Sequence, residues 1–173
     1  KLTVKTPSVK LNASAKTLYV KGSPATVTLK ATTAGVTGKV TYTSSKPSVV
    51  AVAANGKVTA KAAGTAVITA KCGNYKVTCK ITVKKPAVKA SASAKTVFVG
   101  GTSQIKVEKT GVSGKVTYTS SNKSVAVVSA GGKVTAKKAG TATITVKCGS
   151  YKATCRITVK KGVLPIILVD QLF

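Results

Sequence analysis

The sequence predicts an all-β protein built from two copies of one small β-sandwich. Apolar and polar residues alternate with a period of two. Tyr75, Val77, Cys79, Ile81 and Val83 interleave with Lys76, Thr78, Lys80 and Thr82, which sets one face in a core and the other in water. Turn signals separate such runs, at Asn55-Gly56, Gly73-Asn74, Gly131-Gly132 and Gly149-Ser150. The whole pattern then recurs. Val40-Thr41-Tyr42-Thr43-Ser44-Ser45 returns as Val116-Thr117-Tyr118-Thr119-Ser120-Ser121, and Cys72 and Cys79 return as Cys148 and Cys155, all at an offset of 76 residues. No stretch has a helical period, and roughly six or seven short strands per repeat fit a sandwich.

Taken in order, the chain opens on Lys1-Leu2-Thr3-Val4-Lys5-Thr6-Pro7, which resembles Lys80-Ile81-Thr82-Val83-Lys84-Lys85-Pro86. Residues 1–7 read as the orphan final strand of a preceding repeat. They mark either a fragment boundary or a processed end whose Leu2 and Val4 strand can complete a sheet of another subunit. Residues 8–85 form the first domain and residues 86–161 the second, joined at Lys84-Lys85-Pro86. Ala13-Ser14-Ala15-Lys16-Thr17 matches Ala92-Ser93-Ala94-Lys95-Thr96 at an offset of 79, so the first copy is three residues longer. The extra length falls between Gly22 and Gly38, in a loop. Residues 162–173 break the repeat and are strongly apolar. They are too short to span a bilayer. Pro165 ends any strand running on from Val159, while Ile166, Ile167, Leu168 and Val169 can form a strand buried on both faces. Three readings stand: a linker into a further domain, a strand docked on a neighbouring subunit, or an anchor in a larger particle. Such a segment aggregates unless something covers it.

Composition narrows the function. The 173 residues hold 29 Lys plus Arg, 2 Asp plus Glu and no His, a net charge of +27. With Glu108 and Asp170 as the acids, general acid–base catalysis has almost no candidates. A carboxylate calcium site or a His-containing zinc site is equally unsupported, and no cofactor is expected. The charge does not imply disorder, because mean hydropathy is +0.21 and disordered chains combine charge with low hydrophobicity. Apart from Arg156 every cation is Lys, a hydrated point charge rather than a directional fork.

The motifs resemble the bacterial immunoglobulin-like domain, group 2, the tandem module of invasin- and intimin-type surface proteins. The shared signature is an aromatic strand ending in Ser-Ser, a Ser-Val segment, a Gly-x-Val-Thr-Ala strand and Ala-Gly-Thr-Ala-x-Ile-Thr. It reads here as Tyr42 to Ser45, Ser48-Val49, Gly56 to Ala60 and Ala63 to Thr69, and again as Tyr118 to Ser121, Ser124-Val125, Gly132 to Ala136 and Ala139 to Thr145. Tyr42 and Tyr118 stand where the family usually has Trp; Tyr fills such a site if its hydroxyl reaches a partner. The resemblance implies two tandem immunoglobulin-like β-sandwiches with strand-like terminal extensions. It also implies extracellular display for adhesion, spacing or decoration of phage particles, without catalysis.

Cys72/Cys79 and Cys148/Cys155 are spaced too widely for a zinc-finger ligand pair. If Gly73-Asn74 is a two-residue turn, the sulfurs lie about 13 Å apart, beyond disulfide reach; a wider loop allows a bridge. The alternative is buried thiols acting as small hydrophobes. Pairing of Cys in local twos tilts the reading toward disulfides.

Lys71, Lys76, Lys80, Lys147, Lys152 and Lys160 occupy outward strand positions, where Lys blocks edge-to-edge aggregation. The same charge attracts polyanions: cell-wall polymers, acidic glycans, or nucleic acid without sequence preference. No aromatic platform supports specific single-strand recognition. Lys–Asn crosslinking beside a buried acid is excluded in the first domain, which has no acid; Glu108 keeps it formally open in the second. Asn12-Ala13-Ser14 and Asn122-Lys123-Ser124 match the glycosylation acceptor pattern, which in a bacterial chain is more often chance. The expected function is therefore a non-enzymatic surface or adhesion module, assembling into a fibre by strand addition through its termini. Its expected partners are copies of itself or neighbouring immunoglobulin-like repeats. Binding of acidic surface polymers is the alternative, and no membrane span is expected.

Overall fold

The computed structural model describes residues 6–162. The expected assembly strands at Leu2 and Val4, and at Ile166, Ile167, Leu168 and Val169, lie outside the described residues. Every element among the described residues is a strand. The chain divides into two compact units, Lys1–Ala87 with Lys109–Ser113 and Val88–Glu108 with Gly114–Phe173.

The first unit contains β1 (Ser8–Leu11), β2 (Ala15–Tyr19), β3 (Thr26–Thr28), β4 (Ala31–Ala34), β5 (Thr41–Ser44), β6 (Val50–Val52), β7 (Lys57–Ala60), β8 (Gly64–Cys72) and β9 (Tyr75–Lys84). One sheet has the order β2-β9-β8-β5, with β2 parallel to β9 and the other pairs antiparallel. Facing it are β3-β7-β6 and the two-stranded β1-β4. Alternation puts Leu18, Ile68, Cys79, Ile81 and Val83 on the inner face of the first sheet, against Leu29, Val50 and Val58 from the second layer. Each fully buried Ile or Leu contributes about 1.5–3 kcal/mol. Cys72 faces Tyr75 in register, so Gly73-Asn74 is a two-residue turn, with Gly73 at φ 55°.

The second unit contains β11 (Thr96–Phe98), β13 (Val116–Ser120), β14 (Ala126–Val128), β15 (Lys133–Ala136), β16 (Gly140–Cys148) and β17 (Tyr151–Lys160), with all of β10 (Ala87–Ala92) but its first residue and all of β12 (Thr102–Thr110) but its last two. Its sheets are β11-β17-β16-β13 and β10-β12-β15-β14. Val97, Ile144, Val146, Ile157 and Val159 meet Ile105, Ala126 and Val134 in its core.

The nine and eight strands exceed the six or seven expected, because β3, β6, β11 and β14 are three residues long. Three residues are too few to display a period of two. Thr26 pairs with Thr59 as Thr102 pairs with Thr135, whereas Thr17 pairs with Thr82 as Thr96 pairs with Thr158. The three extra residues of the first copy therefore sit in the turn between Tyr19 and Thr26.

The run that is continuous in β12 is split in the first unit, at Leu29-Lys30. Side chains satisfy the interrupted backbone. The Tyr42 hydroxyl donates to the Leu29 carbonyl and accepts from the Ala31 N–H, both at 3.1 Å. Asn12 Oδ1 accepts from the Lys30 N–H at 3.0 Å, and its Nδ2 donates to the Thr28 carbonyl at 3.3 Å. Tyr42 thus meets the condition under which Tyr can replace Trp in this core.

Candidate functional site

The final strand of each unit is an inner strand of its sheet, and its two faces differ sharply. Along β9, Val77, Cys79, Ile81 and Val83 turn inward, while Lys76, Thr78, Lys80, Thr82 and Lys84 turn outward. Along β17, Ala153, Cys155, Ile157 and Val159 turn inward, and Lys152, Thr154, Arg156, Thr158 and Lys160 turn outward. Each strand presents cation, threonine, cation, threonine, cation. Successive cations are four residues apart, about 13 Å along a strand. All six cations are exposed.

Neighbouring strands extend the stripe into a surface. Lys71 on β8 lies directly opposite Lys76, and Thr69 opposite Thr78. Lys147 on β16 lies opposite Lys152, and Thr145 opposite Thr154. Like charges directly opposite one another are destabilising, so both units carry the same local repulsion at the same register. Glu108, the acid among the described residues, lies on β12 in the other sheet. Neither stripe-bearing sheet holds a counter-charge.

Of the six lysines expected to form the basic surface, Lys76, Lys80, Lys152 and Lys160 lie on the stripes, and Lys71 and Lys147 on the adjoining strands. Sequence reasoning omitted Lys84 and Arg156 from this set. The repeat offset held the signal: Lys84 corresponds to Lys160, and Arg156 to Lys80.

Residues 38–85 match the bacterial Ig-like domain model, and residues 81–159 match the bacterial Ig-like domain (group 2) model. The chain is a tandem of bacterial Ig-like domains. No curated protein sequence matches it. Among solved structures, it is similar to domains 4 and 5 of the S-layer protein SbsC, at 26% identity and a TM-score of 0.53, covering 91% of this chain and 99% of that fragment. It is also similar to the longer S-layer protein rSbsC(31-844), at 25% identity and a TM-score of 0.53, covering 92% of this chain. The chain spans 28% of the length of that longer protein.

The motif residues of these Ig-like domains hold backbone. Ser45 Oγ accepts from the Val67 N–H and Ser121 Oγ from the Thr143 N–H, each at 2.9 Å, fastening the end of the aromatic strand to its neighbour. Gly56, at φ 78°, starts the Gly-x-Val-Thr-Ala strand where a Cβ would collide with the Leu29 carbonyl. Both glycosylation-pattern asparagines have structural partners. Asn12 bridges the Leu29-Lys30 break, and Asn122 Oδ1 accepts from the Ser124 N–H, the Ser124 hydroxyl and the Val125 N–H.

The disulfide expectation is overturned. Cys72, Cys79, Cys148 and Cys155 are all buried thiols outside any disulfide. Cys72 is opposite Tyr75 and Cys79 opposite Ile68; Cys148 is opposite Tyr151 and Cys155 opposite Ile144. The two-residue turn thus holds each pair about 13 Å apart. Cys72 Sγ donates to the Gly38 carbonyl at 3.3 Å and Cys148 Sγ to the Gly114 carbonyl at 3.4 Å, closing one end of each core. Burial pushes the Cys79 thiol above its ordinary value, against the opposing pull of the Lys16 ammonium.

Equivalent grooves lie between β5 and β6 and between β13 and β14. The first, about 330 Å³, is lined by Tyr42, Ser44 and Val52, and the second, about 320 Å³, by Tyr118, Ser120 and Val128. Neither lining includes a carboxylate, a histidine or a cysteine. No group of three or more His, Cys, Asp or Glu gathers among the described residues.

Proposed function

We propose that this tandem of Ig-like domains is a non-enzymatic structural or adhesion module displayed on a bacterial surface. The supporting observation is the likeness to a two-domain stretch of an S-layer protein over 91% of the chain and 99% of that fragment. Residues 8–85 and 86–161 act as successive links, each with its own core. The thiols are buried, Ser45, Ser121, Asn12 and Asn122 hold backbone, and the lysines face water.

Assembly runs through the ends, with copies of the chain or neighbouring Ig-like repeats as partners. Leu2 and Val4 supply one strand, and Ile166, Ile167, Leu168 and Val169 the other. The last strand of each described unit is an inner one. A terminal strand donated to a unit lacking its own would therefore fill a gap within a sheet, a larger set of hydrogen bonds than an edge offers. Sedimentation and electron microscopy of the full chain and of a chain lacking 163–173 test this. Linear oligomers that disappear on deletion support it; unchanged assembly overturns assembly through that end.

A further inference from the structure

We propose that the outward faces of β9 and β17 bind a linear phosphodiester-linked polyol polymer, each stripe taking an extended stretch of the chain. The inference adds a partner to the surface module and is independent of assembly through the termini. Its basis is charge complementarity on a defined sheet face. Lys76, Lys80 and Lys84 form one line of cations and Lys152, Arg156 and Lys160 the other, all exposed. Neither sheet carries an acid to neutralise them.

The chemistry of the stripe selects among polyanions. Thr78 and Thr82, and Thr154 and Thr158, place hydroxyls between the cations, able to donate to phosphate oxygens and to meet polyol hydroxyls. Five of the six cations are Lys. Lys attracts an anion as a point charge, without the directional fork that Arg offers to carboxylate and phosphate alike, which suits a flexible polymer whose charges lie at intervals along the stripe. Aromatic neighbours occur only at the stripe ends, where Tyr19 pairs with Lys84 and Phe98 with Lys160. Bases of a single strand therefore find no continuous stacking surface. A bridging phosphate also relieves the repulsion between Lys71 and Lys76 and between Lys147 and Lys152, which lie opposite each other in register.

The test measures binding of the full chain to poly(glycerol phosphate) by titration calorimetry across a salt series. One variant carries Lys76→Gln, Lys80→Gln, Lys84→Gln, Lys152→Gln, Arg156→Gln and Lys160→Gln. A control variant loses the same charge off the stripes, through Lys30→Gln, Lys57→Gln, Lys61→Gln, Lys106→Gln, Lys133→Gln and Lys137→Gln. The unaltered chain should bind at low salt with a log–log slope of about −2 per stripe, by the single-strand coefficient for three phosphates. The stripe variant should lose about tenfold or more in affinity and the control about threefold or less. Equal losses in the two variants overturn the proposal, since binding then follows net charge alone. So does absence of low-salt binding by the unaltered chain, or binding to double-stranded DNA or polygalacturonate as tight as to poly(glycerol phosphate).

Discussion

Cys79 turns into the first core beside Ile81, fully buried, and its thiol is pushed upward by that burial. A raised thiol holds its proton more tightly folded than unfolded. Its contribution to stability is complete below the ordinary thiol range and is lost as pH rises through the folded value. Unfolding free energy should therefore fall as pH rises past the ordinary thiol value, and Cys79→Ala should flatten that fall in urea titrations. Alkylation of the unfolded chain without reductant should modify all four thiols. The sequence already contained the argument against a bridge, in the two-residue turn at Gly73-Asn74. Local pairing of Cys was the weaker signal, because the same spacing arises when two small hydrophobes point inward from facing strands. Tyr42 offers a sharper test. Tyr42→Phe removes both hydroxyl bonds at the Leu29-Lys30 break and should cost about 1–3 kcal/mol. Tyr118→Phe should cost less, since no hydroxyl bond of Tyr118 is found among the described residues. Gly56→Ala, blocked by the Leu29 carbonyl and by its φ of 78°, should destabilise by more than about 1 kcal/mol.

The hairpins β8–β9 and β16–β17 were legible in the sequence because each has nine or ten residues of unbroken alternation on either side of a two-residue turn. The parallel pairing of β2 with β9 was not, since nothing local records which distant strand becomes a neighbour. Nor was the split between β3 and β4, which depends on Asn12 and Tyr42 arriving from elsewhere in the chain. The cation stripe was half legible: outward lysines follow from alternation, but their alignment on one inner strand follows only from the sheet order. At this scale the opposed Lys71 and Lys76 make a prediction. Lys71→Thr should raise the melting temperature by roughly 1–3 °C at low salt, and the gain should vanish near 1 M salt, where screening is nearly complete. Short edges are the other device of these sheets. β5 has four residues and β6 and β14 three, too little for stable edge-to-edge pairing.

At the scale of the molecule, the +27 charge first suggests nucleic acid. Placement changes its meaning. Every Lys among the described residues is exposed, the charge is shared by both domains, and the cation–threonine alternation recurs on the last strand of each unit. The domain organisation follows from the 76-residue repeat, and each domain has a separate core. Two links that each keep their own core should unfold independently. Pulling a single chain by its ends measures this most directly. Two separate unfolding events are expected, each releasing roughly 25 nm of chain for a domain of about 75 residues. One event releasing the whole length at once, or extension without discrete events, would contradict it.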